Sequence, residues 1–349
     1  MKKMLALLLA LVMVLSLAAC ASSQPATTDA AASTETAETT ETTEPAAEES
    51  AEAPAESGKT YTVGVCQLVQ HEALDAATQG FIDALKEELG DAVTVDVQNA
   101  SGDSVNCGTI VNGFVSKGVD LIMANATPAL TAAVSATADI PILGTSITAY
   151  GVALDIDDFN GTVGGNVSGT SDLADLQAQA QMILDWFPET KTVGLLFCSA
   201  EPNSRYQIDE VRKALEAQGV TCEEFAFTDS NDVSSVTQKA ADFSDVVYIP
   251  TDNTAASNTE AIANVLIPAG VPAICGEEGL CRGCGVATLS ISYYDLGVTT
   301  GKMAAKILKG EANISEMPVE YTDATPKYNA SMCDQLGITP LDGYEAIDG

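Results

Sequence analysis

Arginine occurs three times in this 349-residue chain, histidine once and tryptophan once. Lys and Arg together number 15 against 49 Asp and Glu, for a formal net charge of −34. Neutralising phosphates takes clustered basic side chains, so nucleic acid is excluded as a partner. Attraction to anionic lipid through a polybasic patch is excluded for the same reason. Any catalytic set built on histidine must use His71, and no G-x-S-x-G elbow accompanies it. We therefore expect His71 to cap a helix, line a cleft mouth or lie on the surface, and we expect no enzymatic activity. Cys281-Arg282-Gly283-Cys284 reads as a local disulfide or half of a zinc site, yet no second Cys/His pair has metal spacing. No metal or cofactor is expected.

Charge is distributed unevenly. The first 20 residues carry +2, residues 21–58 carry nine acids and no base, and −27 remains on residues 59–349. Lys2 and Lys3 precede an apolar run from Met4 to Leu17 that is too short to span about 30 Å of hydrocarbon as a helix. It reads as a signal peptide. Its end, Leu17-Ala18-Ala19-Cys20, resembles the bacterial lipobox, which implies that Cys20 is lipidated and begins the mature chain. Residues 21–58 contain no Leu, Ile, Val or aromatic residue, so they cannot bury enough apolar area to offset ordering entropy. An acidic, disordered tether is expected there, holding a folded part that starts near Lys59 off a membrane.

Short apolar runs then recur at Tyr61–Val65, Val93–Val97, Asp120–Ala124, Ile140–Leu143, Thr192–Phe197, Thr221–Phe225, Val246–Ile249 and Val271–Cys275. Helical spacing lies between them, as in Ala73, Ala77, Phe81 and Leu85. Strands alternating with helices imply parallel sheets built from right-handed βαβ units. Eight such strands make one large sheet or two smaller ones, and the Gly-rich stretch Ala149–Thr170 favours two. The other reading is a single Rossmann-like enzyme domain with an insertion. Against it, Val65-Cys66-Gln67-Leu68 stands where G-x-G-x-x-G would follow the first strand, and no phosphate-binding G-x-x-x-x-G-K-[ST] occurs.

Ligands of parallel α/β sheets bind off the carboxyl ends of strands, near helix N-termini. The residues following each strand include Gln67, Asn125-Ala126-Thr127 and Thr145-Ser146 in the first half. In the second half they include Glu201-Pro202-Asn203-Ser204, Asp252-Asn253 and Glu277-Glu278. Hydroxyls and helix N–H groups suit a carboxylate, and the acids suit an ammonium, so a zwitterionic amino acid fits the set. Helix capping is the competing explanation for Thr127, Asn203 and Thr251, whereas adjacent Glu277 and Glu278 are harder to read as caps. Tyr206, Tyr293 and Tyr294 are candidates for stacking on an aromatic ligand, with core packing the alternative for each. Trp186 and Phe187, just before Pro188, look like packing rather than a sugar platform.

Several segments resemble one family in the right order: Val63–Glu87, Gly169-Thr170-Ser171-Asp172, Ser199–Tyr206, Tyr248–Asn253, Cys275–Gly279 and Tyr293–Gly310. It is the family of ABC-transporter substrate-binding lipoproteins associated with uptake of tryptophan and related aromatic amino acids. The resemblance covers roughly residues 60–340 and implies a type I periplasmic-binding fold, two doubly wound α/β lobes joined by three hinge crossings. Lobe one is expected at 59–150 plus 293–317, lobe two at 168–288 plus 322–349, and the crossings near 151–167, 289–292 and 318–321. Carried over by position, the ligand-binding loops match Gln67, Thr145, Ser146, Asp172, Asn203, Ser204, Asp252, Asn253, Glu277 and Glu278; Thr127, Tyr206 and Tyr293 join them from the strand-end and aromatic readings. Cys66 and Cys275 stand where other small residues are usual, and the loop after the fourth strand lacks an Asp-Pro.

The resulting expectation is a monomeric, lipid-anchored binder on the outer face of the membrane. It captures a small amino acid and hands it to an ABC permease. The alternatives are a type I binder for a nucleoside or sugar, and an exported α/β enzyme. Nine cysteines in an exported chain suggest disulfides. Cys66, Cys198 and Cys275 nevertheless fall at strand ends, where they act most simply as small buried hydrophobes.

Overall fold

A computed structural model describes residues 59–347. The signal peptide, Cys20 and the acidic tether lie outside the described residues. The chain runs β1 (Tyr61–Gln67), α1 (Glu72–Leu89), β2 (Val93–Asn99), α2 (Ser104–Lys117), β3 (Leu121–Asn125), α3 (Thr127–Ala136), β4 (Ile142–Ile147), α4 (Tyr150–Ala153) and β5 (Val167–Ser171). It continues through α5 (Leu176–Trp186), β6 (Thr192–Cys198), α6 (Pro202–Glu216), β7 (Thr221–Phe227), α7 (Val233–Phe243), β8 (Val246–Ile249), α8 (Asn253–Ala256), α9 (Thr259–Ala269), β9 (Ala273–Cys275), α10 (Glu278–Cys284) and β10 (Ala287–Ser290). The last part is α11 (Tyr293–Lys309), β11 (Glu320–Tyr321), β12 (Thr325–Tyr328), α12 (Ala330–Leu336) and β13 (Glu345–Ala346).

These strands form two sheets, in the orders β11-β5-β4-β3-β1-β2 and β13-β12-β10-β9-β8-β6-β7. The first is parallel throughout, and the second is parallel except for the antiparallel β10–β12 pair. Each sheet is covered by helices and has its own aliphatic core, with Val63, Leu121, Ile122 and Met123 in one and Val193, Leu195, Val246 and Ile274 in the other. This is the two-lobed type I periplasmic-binding fold.

Two of the three expected crossings shift. Residues 151–167 do not leave the first lobe, because β5 pairs in parallel with β4 through Ile142–Val167 and Leu143–Ser168. The passage falls after Ser171, at residues 172–175, so 168–171 belong to lobe one. Val-Ser-Gly-Thr-Ser carries no aliphatic run and reads as loop, yet its hydroxyls are met by neighbours. Ser168 Oγ donates to the Met317 carbonyl at 3.0 Å, and Thr170 shares a hydrogen bond with Thr300 at 2.8 Å. β11 pairs with Thr170 and Ser171, which moves the third passage from 318–321 to 322–324. Between β10 and α11 the chain passes through residues 291–292.

Helix α11, entered after the second passage, returns to lobe one and lies against α1. A Cβ at Gly80 would overlap the Tyr294 carbonyl, and one at Gly297 would overlap the Ala77 carbonyl. Glycine here lets two helix backbones touch. In an open helix interior Gly→Ala gains about 1 kcal/mol, but overpacking at a closed contact costs about 1–3 kcal/mol. The clash dominates. Gly297→Ala is expected to lower unfolding free energy by about 1–2 kcal/mol in a denaturant titration, and a stabilised variant would show that the helix contact is looser than described.

Candidate functional site

The carboxyl ends of the first sheet's strands lie level, with Gln67 beside Asn125 and Asn125 beside Thr145. Most of the polar side chains there are already committed. Gln67 donates to the Val69 carbonyl and to Asp75 and accepts from Thr78. Thr145 shares a hydrogen bond with Thr170. Between Gly144 and Ile147 the β4–β5 register shifts, and Ser146 takes a positive φ of 55°. Ala126, just before α3, has φ 88°. Non-glycine residues held in this region mark places where tertiary structure imposes a conformation, commonly at functional sites.

In the second lobe the acids serve the backbone. Glu201 is buried and accepts from the Asn253 and Thr254 amides at 3.0 and 2.9 Å, and from both of their side chains. Asp252 caps α8 through the Ala255 amide and also accepts from the Cys198 amide at 2.6 Å. Glu277 caps α10 through the amides of Gly279 and Leu280. Glu277 is thus a cap after all, contrary to the reading of the adjacent pair. Glu278 is doubly paired, with Lys327 at 2.6 Å and Arg282 at 3.0 Å.

Four of the thirteen sequence candidates remain buried with a polar atom unpartnered. They are the Thr127 and Ser146 hydroxyls, one Asp172 carboxylate oxygen and the Asn203 carbonyl oxygen. Each is at most 6 % exposed. Two of the four are oriented by other bonds: Tyr293 Oη donates to the second Asp172 oxygen at 2.9 Å, and Asn203 Nδ2 donates to the Thr251 carbonyl at 3.1 Å. Two are hydroxyls able to donate and two are acceptors, and unmet buried groups of this kind are costly unless a ligand or water completes them. Asn125 Oδ1, at the strand end that leads to Thr127, is unpartnered as well.

The aromatic candidates divide. Tyr293 is buried beside Asp172, Tyr206 packs on the core of lobe two, and Tyr294 is exposed with its hydroxyl on Asp83. Trp186 packs edge-on against Tyr344, with centroids 5.1 Å apart, inside lobe two. Ser204 and Asn253 are tied to the Thr251 carbonyl and Glu201 respectively. Cys66, Cys198 and Cys275 are buried as expected, and the eight described cysteines are free thiols.

The lobes touch around these loops. His71 Nε2 lies 3.2 Å from Asn253 Oδ1, and Glu72 lies 3.1 Å from Arg282. A cavity of about 400 Å³ opens at the seam between Ser101, Ser104 and Pro128 on one side and Ala200, Glu201 and Asp229 on the other. Pro128 and Glu201 place its walls next in sequence to Thr127 and two residues from Asn203. Sequence reasoning missed Glu201 and Arg282 as organisers; a carboxylate just before Pro202 at a helix start was the available signal for the first.

The chain matches a sequence model described as ABC transporter substrate binding protein over residues 62–343. It is 33% identical over 276 residues to a tyrosine-binding protein of Clostridioides difficile (strain R20291), covering 77% of this chain and 79% of that one. A solved ABC domain in complex with L-Trp from Streptococcus pneumonia is 32% identical with a TM-score of 0.78, covering 83% of this chain and 100% of the other. A ligand-free, open substrate-binding protein with adhesive properties from Clostridium difficile is also 32% identical but has a TM-score of 0.63, covering 83% of this chain and 99% of the other. At equal identity the chain superposes better on the tryptophan complex than on the ligand-free, open structure.

Three carboxyls at this site resist ionisation because burial strips their hydration: Asp172 is pushed up to about 6, Glu277 to about 7 and Asp252, with Glu201 beside it, to about 8. In the unfolded chain they ionise near pH 4. The folded chain therefore holds protons that the unfolded chain has lost, so their contribution to stability is present at low pH and lost as pH rises through about 6 to 8. The melting temperature of ligand-free protein is expected to be higher at about pH 5.5 than at about pH 8.5; a rise with pH would refute these assignments.

Proposed function

Since the chain belongs to the ABC transporter substrate-binding protein family, whose members bind and do not transform their ligands, we propose that it captures an aromatic amino acid between its lobes. The relatives that bind tyrosine and tryptophan support the ligand class. The observation that carries the reading is the set of four unpartnered buried atoms. The Thr127 and Ser146 hydroxyls would donate to the ligand carboxylate, and the open oxygens of Asp172 and Asn203 would accept from its ammonium. Asp172 takes this role in preference to Asp252 or Glu278. Asp252 already serves two backbone amides, and Glu278 already faces two cations.

Open lobes sample a closed arrangement, and a ligand touching both shifts the population toward it. No covalent step is required. The captured amino acid would pass to an ABC permease outside the cytoplasm, with the chain held there through lipid on Cys20 and an acidic tether at 21–58. The sugar reading is disfavoured because the single tryptophan is packed inside lobe two and every arginine is ion-paired.

Native mass spectrometry of freshly purified protein against a metabolite panel is expected to find tryptophan or tyrosine bound, and calorimetry to confirm it. A sugar or nucleoside in the cleft, or turnover of any ligand, would overturn the reading. Loss of a hydrogen bond to a charged group costs about 1.5–3 kcal/mol, so Asp172→Asn should weaken tryptophan binding by about tenfold or more while Glu278→Gln changes it little. The reverse order of effects would assign the ammonium to Glu278 instead.

A further inference from the structure

Helix α4 of lobe one packs on α6 of lobe two, but two polar side-chain contacts that bridge the lobes lie together at the start of α1. His71, its N-terminal flanking residue, makes no capping bond of its own; its imidazole instead meets Asn253 at the start of α8. The next residue, Glu72, reaches Arg282 on α10. Asn253 is held by Glu201, and Arg282 is shared with Glu278, which is itself fixed by Lys327 of β12. Both halves of the contact are therefore mounted on rigid supports in lobe two. Gly279 favours it: a Cβ there would stand 3.2 Å from the Glu72 Cβ, tighter than ordinary contact, so a side chain at that position would press α10 and α1 a few tenths of an ångström apart.

The geometry points to a two-point clasp, His71 on Asn253 and Glu72 on Arg282, that forms only when the lobes close and slows release of the bound ligand. This rests on the binding reading above for its ligand but not for its closure. None of the four residues supplies one of the unpartnered atoms of the proposed ligand site, so the clasp acts on the lifetime of the closed form rather than on recognition. The ionic half is partly exposed, with Arg282 35% and Glu72 52% accessible, and exposed pairs are weak and screened by salt. Its effect on release is accordingly about two- to fivefold. Burial lowers the pKa of His71, which keeps it neutral as a hydrogen-bond partner, although Asp75 and Glu201 pull the other way and Glu72, Glu277 and Arg282 line the adjoining hollow.

The test is a double-mutant cycle of Glu72→Gln and Arg282→Gln, read on tryptophan dissociation by stopped-flow fluorescence. Each single variant should speed release by about two- to fivefold, and the double variant should release no faster than the quicker single. Association should change less than twofold, because docked contacts act mainly on dissociation. His71→Ala should speed release, and His71→Gln, which keeps a neutral donor, should restore it. Additive effects, or association slowed as much as dissociation is accelerated, would overturn the clasp. The same cycle is read without ligand by hydrogen exchange of amides 253–256 and 279–284, whose protection each single variant should lower. If native protein binds neither tryptophan nor tyrosine, the ligand reading fails while the exchange cycle still decides the clasp; exchange identical in all variants would overturn it.

Discussion

Everything at this cleft depends on the cost of leaving a buried polar group unmet. The strand-end loops of lobe two are rich in carboxylates, and burying an isolated charge is prohibitive unless it is hydrogen-bonded or protonated. Glu201, Asp252 and Glu277 solve this by taking the orphan amides of the helices that begin beside them. Loops and acids thereby fix each other. Against that satisfied background a few atoms stand out as unmet, on Thr127, Ser146, Asp172 and Asn203. A site of this kind is defined less by which polar residues are present than by which ones the fold has left without employment.

That distinction explains what could be read from the sequence. Aliphatic runs such as Thr192–Phe197 and Val246–Ile249 announce central parallel strands because both faces of those strands are buried. The strand Val167–Ser171 gives no such signal, since its buried face is built of Ser168 and Thr170 hydroxyls whose partners at Met317 and Thr300 are some 130 to 150 residues away. Local pattern cannot show a long-range hydrogen bond. The same limit applies to the site. Position after a strand was enough to select Thr127, Ser146 and Asn203, and the family resemblance added Asp172, but position selected Gln67, Asp252 and Glu277 on identical grounds. Only three-dimensional accounting separates a carboxylate consumed as a cap from one left open.

Backbone strain accompanies two of these open groups. Ser146 and Ala126 both have positive φ, and each adjoins or carries an unpartnered hydroxyl, whereas the committed Gln67 and Thr145 do not. A left-handed serine costs about 1 kcal/mol or more and persists only when its surroundings impose it. Here the surroundings are the register shift in β4 and the Tyr150 hydroxyl, which donates to the carbonyls of Gly144 and Thr170 and so pins β4 to β5 beside the shift. Glycine at 169 admits that hydroxyl, since a Cβ there would overlap it.

The scarcity of arginine now bears on ligand charge. Arg205 and Arg212 both bind Glu224 on lobe two, and Arg282 is engaged by Glu278 and Glu72. No arginine is left to clamp an anion, and the cleft loops carry several carboxylates. A net anionic ligand would enter a field of like charge in which every arginine is already ion-paired. A net cation would pair with Asp172 but leave the donor hydroxyls of Thr127 and Ser146 without a strong acceptor. A zwitterion meets both halves, and its own charges partly screen each other during transfer out of water. Under the proposed reading, the protein therefore selects an amino acid by what it withholds as much as by what it offers: donors without a formal positive charge at one end, and one unpaired carboxylate oxygen at the other.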